Sequence, residues 1–152
     1  MKLPGVPRAT GYGRTGGRVI TLDSSAIIAI TNAEDPDHLT VTAALLAEQE
    51  PWMIPQGILA EVAFMLEKLG ADVLDSFLQD VQDGPYTLED SRSDIVRIRA
   101  LTHRYRNLPL GFSDAAVVAC AERHGGRVLS IDDRDFGIVA RERTITLLPG
   151  IV

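Results

Sequence analysis

Short β-prone runs alternate with longer helical stretches from residue 19 onward. Each run holds a few consecutive apolar or β-branched residues, which is typical of strands buried on both faces of a sheet. The predicted strands are 19–22, 52–54, 86–88, 127–131 and 144–148. The predicted helices are 24–32, 36–48, 57–69, 71–81, 90–105 and 113–123, with a loop or short helix near 138–139. This alternation predicts an α/β fold with a mostly parallel sheet.

Residues 1–18 differ in composition from the rest of the chain. They hold five glycines, two prolines and four cations, with few apolar side chains. Such a segment cannot bury enough apolar surface to offset the entropy lost on ordering. We therefore expect a mobile tail before one compact domain over residues 19–152. The tail either contacts nucleic acid or is an over-long start of the reading frame.

Helical periodicity also predicts which side chains face the core. Leu46, Leu78 and Ile95 fall on the apolar sides of their helices. Ser113 stands before an alanine-rich run, where its hydroxyl is expected to cap the helix. Gly125 and Gly126 follow that run and are expected to end the helix.

Charge and composition narrow the function classes. The formal net charge is −6, which opposes binding of a polyanion through the overall field. A nucleic-acid partner therefore requires bound metal or a locally basic surface. The single cysteine, Cys120, excludes an internal disulfide and fits a reducing compartment. No apolar stretch reaches the roughly 20 residues of a membrane span, so we expect a cytoplasmic protein without a membrane partner.

Two aspartates directly follow predicted strands. Asp23 ends the first strand, and Asp132 ends the strand that begins near residue 127. The carboxyl ends of parallel strands share one edge of a sheet, and ligands bind outside that edge. A helix N-cap is the structural alternative for Asp23.

Glu61 and Asp114 are isolated acids in apolar helices. Glu61 lies within residues 57–66, where the pattern predicts a helix that is apolar on every side and therefore buried. A buried carboxylate requires a partner charge or a metal ion, and no arginine lies near it in the sequence. Asp114 opens an alanine-rich helix, where a favourable interaction with the helix dipole is the alternative account.

A divalent-metal site is the common explanation for these four acids. Carboxylate oxygens suit Mg²⁺ or Mn²⁺, and no histidine or cysteine cluster suggests zinc. Such ions activate water and neutralise charge on a phosphoryl group. The excess of acids is then explained as a metal site, which is compatible with a polyanionic substrate.

Four motifs in chain order resemble the PIN domain, specifically the VapC-type toxin ribonucleases of bacterial and archaeal toxin–antitoxin pairs. The resemblance covers about residues 19–150. The motifs are Leu22-Asp23-Ser24-Ser25-Ala26, Ala60-Glu61-Val62, Gly111-Phe112-Ser113-Asp114-Ala115-Ala116 and Ser130-Ile131-Asp132-Asp133-Arg134-Asp135-Phe136.

The resemblance implies a Mg²⁺- or Mn²⁺-dependent endoribonuclease that folds as a three-layer α/β/α sandwich around a mostly parallel sheet. Its RNA substrate, a VapB-like antitoxin and a second copy of the chain are the implied partners. By motif, the metal-binding and catalytic residues are Asp23, Glu61, Asp114 and Asp132. Further residues matched by motif are the additional acid Asp135, the supporting hydroxyl of Ser130 and a possible phosphate contact at Arg134, beside an unusual acid at position 133.

Two other function classes remain open. A catalytically inert PIN-like adaptor would bind RNA or protein, although an intact acidic quartet counts against it. An aspartate-based phosphatase or receiver domain resembles families that need a lysine near the acids, and Lys68 is the only plausible one. The arginine-rich helix is either a solvated face or a set of phosphate contacts; its cations are Arg92, Arg97, Arg99, Arg104 and Arg106.

Overall fold

One all-parallel sheet of five strands forms the centre of the protein, in the order β3-β2-β1-β4-β5. The computed structural model describes residues 18–48, 50–108 and 110–149, with the backbone alone at residues 133–135. The strands are β1 (Ile20–Leu22), β2 (Trp52–Pro55), β3 (Tyr86–Glu89), β4 (Arg127–Leu129) and β5 (Thr146–Leu148). The predicted α/β architecture is confirmed. The predicted tail lies outside the described residues except for Arg18, so the domain boundary stays a prediction.

Helices pack against both faces of this sheet. They are α1 (Ser24–Thr31), α2 (His38–Glu48), α3 (Leu59–Glu67), α4 (Ala71–Asp83), α5 (Ile95–Arg104), α6 (Phe112–Arg123) and α7 (Asp133–Ala140). Helix α6 lies against β1, β2 and β4 with α5 behind it, while α1 packs on α2 and α3. Right-handed crossovers place these groups on opposite faces, which gives the three-layer sandwich. None of the described helices has the length and apolar character that crossing a membrane requires.

The winding direction of the sheet reverses between β1 and β4. The chain moves outward from β1 to β2 and β3, then returns to place β4 on the other side of β1. At such a reversal the connections leave in opposite directions, and a crevice forms outside the carboxyl ends of the two strands. Leu22 pairs with Leu129 in the ladder. The residues that follow them, Asp23 and Ser130, therefore lie side by side at this crevice.

The small side chains of α6 let it lie close to the sheet. Residues 115–121 are all buried, and most are alanine or valine. Cys120 is among them, with its Sγ 3.6 Å from Sδ of Met53. Burial raises the pKa of the Cys120 thiol to about 12. The thiol is therefore protonated and unreactive at neutral pH.

Four details of the helices differ from the sequence prediction. Leu46, Leu78 and Ile95 are exposed, because their helices touch the core along a narrow strip. In α2 that strip holds Val41 and Leu45, and the next position is rotated by roughly 100° around the helix axis. Ser113 lies inside α6 and is not its N-cap. Gly111 is the N-cap residue, so no side-chain hydrogen bond caps this helix.

The chain enters β4 through Gly126, which adopts a left-handed conformation with φ of 79°. A Cβ atom at this position would lie 2.7 Å from the carbonyl oxygen of Thr144. Gly126→Ala is therefore expected to lower the free energy of unfolding by at least about 2 kcal/mol. Urea denaturation measures this change. Gly137→Ala is the control, since no described atom lies within 4 Å of the added methyl group in α7; equal destabilisation by both variants contradicts the prediction.

Candidate functional site

Asp23 joins strand β1 to helix α1 at the crevice. Its side chain is buried, with only 4% of the residue exposed. The Oδ1 atom accepts hydrogen bonds from the backbone N–H of Ala26 at 2.9 Å and from Oγ of Ser25 at 2.8 Å. Oδ2 accepts a hydrogen bond from Oγ of Ser130 at 2.6 Å. Asp23 is thus the N-cap of α1 and also the acid at the end of β1. The helix cap, which the sequence offered as the alternative to a strand-end site, is therefore compatible with such a site.

The electrostatic setting of Asp23 disfavours its ionised form. Burial raises the pKa of its carboxyl group to about 6, the hydrogen bonds from Ser130, Ala26 and Ser25 oppose that rise, and the charge of Asp132 adds to it. A buried carboxylate beside a second acid is characteristic of functional sites. A bound cation would offset both the burial and the repulsion.

The hydroxyls of two serines connect the segment after β1 to the segment after β4 by hydrogen bonds. Oγ of Ser130 donates to Asp23 and accepts from the backbone N–H of Asp132 at 2.9 Å. Oγ of Ser25 donates to Asp23 and accepts from the backbone N–H of Ile131 at 3.2 Å. Ser130 was predicted from the resemblance, whereas the role of Ser25 was missed. The signal for it was a hydroxyl two residues after a strand-end aspartate, a short-range pattern typical of helix starts.

Ser25→Ala is expected to lower the free energy of unfolding by about 1–2 kcal/mol, because it removes one hydrogen bond to a carboxylate and leaves the N–H of Ile131 without its acceptor. Thermal or urea denaturation measures the change. Ser24→Ala is the control in the same helical turn, since no side-chain hydrogen bond of Ser24 occurs within the described part of the chain. We expect that control to stay within about 0.5 kcal/mol of the wild type, and equal losses in both variants would contradict the assignment.

Glu61 occupies a different environment from the one that the sequence predicted. It is exposed in the first turn of α3, together with the exposed side chains of Phe64 and Met65. Only Val62 and Leu66 of this helix are fully buried. The prediction of a helix buried on every side was wrong, because α3 lies in an outer layer and contacts the core along one stripe. Any role of Glu61 therefore rests on its position shortly after β2.

Asp132 follows β4, which ends at the crevice, whereas Asp114 belongs to α6, which packs against β1, β2 and β4. Asp114 is half-buried in the first turn of α6. Asp132 is exposed immediately before α7. The side chains of Arg134 and Asp135 lie outside the described residues, as does that of Asp133.

The structure thus brings part of the predicted set together. The predicted residues Asp23 and Ser130 form one hydrogen-bonded unit with the backbone N–H of Asp132, and Ser25 joins this unit to the backbone of Ile131. Among the described side chains, no group of three or more histidines, cysteines or acids lies close enough to hold one ion. The donor chemistry nonetheless fits Mg²⁺ or Mn²⁺, since a buried carboxylate flanked by hydroxyls and exposed acids supplies only hard oxygen atoms.

The arginines of α5 are partly neutralised. Arg97 forms two hydrogen bonds to the carboxylate of Glu122, at 2.8 and 2.9 Å. Arg104 lies 2.5 Å from Oε1 of Glu142. Arg92, Arg99 and Arg106 are exposed and form no ion pair with another described residue. The choice between a solvated face and phosphate contacts therefore concerns these three cations.

The chain belongs to the PIN-domain family, whose sequence profile matches residues 20–142. It is similar to Ribonuclease VapC26 of Mycobacterium tuberculosis, with 25% identity over 118 residues, which are 76% of this chain and 87% of that protein. The resemblance to VapC-type PIN proteins is thereby confirmed.

Solved structures show the same fold. Mycobacterium tuberculosis VapC20, described as a sarcin-ricin loop cleaving toxin, superposes with a TM-score of 0.69 at 20% identity, covering 78% of this chain and 94% of that one. VapBC2 of Rickettsia felis, bound to a DNA fragment from its promoter, gives a TM-score of 0.61 at 16% identity, covering 85% of this chain and 96% of that one. FitAcB of Neisseria gonorrhoeae gives 0.60 at 14% identity, with coverage of 84% and 95%.

Proposed function

We propose that this protein is a Mg²⁺- or Mn²⁺-dependent endoribonuclease that acts as a VapC-like toxin. The observation that carries the proposal is the buried Asp23 carboxylate, held by two serines at the point where the sheet reverses direction. The membership of the chain in the PIN-domain family and its similarity to a VapC ribonuclease support the same conclusion.

The residues have distinct proposed roles. Asp23, Glu61, Asp114 and Asp132 would hold the metal, with Asp135 as an additional acid. Ser25 and Ser130 fix the orientation of the Asp23 carboxylate and the position of the segment that carries Asp132. When bound, the ion would polarise the scissile phosphoryl group and lower the pKa of an attacking water.

The proposed partners follow from the relatives. By analogy with VapBC2, we propose that a VapB-like antitoxin binds this chain and that two copies form a homodimer. Exposed apolar side chains such as Met65 on α3 and Val96 on α5 are consistent with such assembly. Arg134 is proposed as a phosphate contact.

The aspartate-based phosphatase or receiver alternative loses its main support. The ammonium of Lys68 lies 4.3 Å from the ring centre of Phe64, at the far end of α3. The hydrogen-bond partners of Asp23 among the described residues are two hydroxyls and one backbone N–H. The family match also favours the nuclease.

Cleavage of RNA by the purified protein tests the proposal. We expect an RNA oligonucleotide mixture to be cut in Mg²⁺ or Mn²⁺ and to stay intact in EDTA. Equal cleavage in EDTA would rule out the metal-dependent mechanism. A folded protein that binds RNA in Mn²⁺ without cutting any of it would instead support the inert adaptor. Expression of the wild type alone is expected to inhibit growth. If expression of Asp23→Asn inhibited growth equally, the toxicity would have a cause other than RNA cleavage.

A further inference from the structure

Phe112 is an exposed aromatic residue next to one of the proposed ligands. It begins α6, two residues before Asp114, and 52% of its surface is exposed. Two other phenylalanines, Phe77 and Phe136, are fully buried in the core. A large apolar ring gains nothing for the folded monomer by its exposure.

The ring of Phe112 packs against the turn that follows β2. Its Cε1 atom lies 3.5 Å from the position that a Cβ atom of Gly57 would occupy. The backbone N–H of Gly57 donates to Oγ of Ser91 at 2.9 Å, which fixes this turn. Because the same turn leads into α3, the ring of Phe112 brings the start of α6, which carries Asp114, against the turn before Glu61.

The other exposed phenylalanine provides a comparison. Phe64 on α3 is 59% exposed, but the ammonium of Lys68 already lies over its ring. Within the part of the chain that the structure describes, no cation and no second aromatic ring covers Phe112. Its open surface is therefore available to a flat external group.

The charge of the protein favours stacking over phosphate contacts as a source of affinity. The chain carries a net charge of −6, and the proposed ligands add acids at this edge of the sheet. Electrostatic attraction to a polyanion is correspondingly weak. Stacking of a base on an aromatic side chain contributes to affinity through the π-face that every base has, and it requires no cation.

We propose that Phe112 is a stacking platform for an unpaired nucleobase of the RNA strand bound at the acidic edge. This inference rests on the proposed ribonuclease function and deepens it, because it commits the substrate to a single-stranded or looped segment at this point. Bases can stack on a protein ring only where they are unpaired.

Binding of a short single-stranded RNA, labelled with 2-aminopurine at successive positions, tests the inference. The wild type is first assayed for cleavage in Mn²⁺, and Asp23→Asn then serves as the non-cleaving background for binding. In that background we expect Phe112→Leu to weaken binding by about 5- to 100-fold. It should also abolish the quenching of 2-aminopurine at one position. Phe112→Tyr should keep both signals, because it retains an aromatic face.

Phe64→Leu is the matched control, and we expect it to leave the affinity and the quenching unchanged. Unchanged binding and quenching in a folded Phe112→Leu protein would overturn the inference, as would equal losses in Phe112→Tyr or in Phe64→Leu. If the wild type cuts RNA and Phe112→Leu shows no defect, the stacking role of Phe112 is overturned and the proposed ribonuclease function stands. Wild-type protein that neither binds nor cuts RNA would overturn the proposed function and the platform together.

Discussion

Asp23→Asn is expected to abolish RNA cleavage while it stabilises the metal-free protein. The substitution removes the buried carboxylate of Asp23 and keeps the shape of the side chain. We expect cleavage in Mn²⁺ to fall by at least about 1,000-fold, since loss of several kcal/mol of charge stabilisation corresponds to that factor. The measurement is the initial rate of cleavage of one RNA oligonucleotide by wild type and variant.

The gain in stability follows from the pKa of Asp23. Burial raises that pKa from 3.8 to about 6 in the folded protein. The folded state therefore binds the proton more tightly than the unfolded state, and ionisation opposes folding. This penalty is absent below about pH 4, grows between about pH 4 and pH 6, and reaches roughly 3 kcal/mol at neutral pH. Asparagine carries no charge and still caps α1, so it avoids the penalty.

Urea denaturation in EDTA at about pH 4 and pH 7 measures this effect. Asp23→Asn should exceed the wild type in stability at neutral pH and match it in acid. Asp23→Ala is the control: it also removes the charge but loses the helix cap, so its gain should be smaller. An Asp23→Asn variant that is less stable than the wild type at neutral pH would show that the hydrogen bonds of Asp23 outweigh its desolvation.

The second large effect is expected at the ion pair between Arg123 and Asp94. Asp94 is only 2% exposed, and its carboxylate accepts two hydrogen bonds from Arg123, at 2.5 and 3.1 Å. This pair joins the start of α5 to the end of α6. Arg123→Met leaves the buried carboxylate without its counter-ion. We expect a loss of about 3 kcal/mol in the free energy of unfolding, the low end for buried pairs, because the side chain of Arg123 is 36% exposed.

A double-mutant cycle separates this account from a simple packing effect. Asp94→Asn alone should cost less than Arg123→Met, because the cation that remains is in contact with water and with Glu89. Asp94→Asn added to Arg123→Met should recover part of the loss, since it removes the uncompensated charge. Strictly additive effects of the two substitutions would contradict the proposed interaction.

The sequence predicted the sheet well because its strands are short apolar runs, and β1 and β2 are buried on both faces. Short continuous apolar runs such as those of β1 and β2 are typical of central strands in a parallel sheet. Asp23 was located from the same signal, because the carboxyl end of a strand can be identified where an apolar run stops. The strand order, which makes Asp23 and Ser130 neighbours, was not accessible from local pattern.

Helix burial and the hydrogen bonds of the site were predicted less well. Glu61 was assigned to a buried helix because α3 carries many apolar residues, yet Phe64 and Met65 face outward. Composition cannot distinguish a buried helix from an outer helix whose apolar face is exposed in the monomer. The role of Ser25 depends on contact with Ile131, a residue far along the chain, and such contacts leave no periodic signal.

Binding of Mn²⁺ to the metal-free protein tests the central claim most directly. Isothermal titration calorimetry should be carried out with the wild type, Asp23→Asn and Glu34→Gln, the last being an exposed acid beyond the other end of α1. We predict that the wild type and Glu34→Gln bind Mn²⁺ equally and that Asp23→Asn loses at least about tenfold in affinity. Equal Mn²⁺ binding by all three proteins would contradict the assignment of a metal centre to the crevice at Asp23.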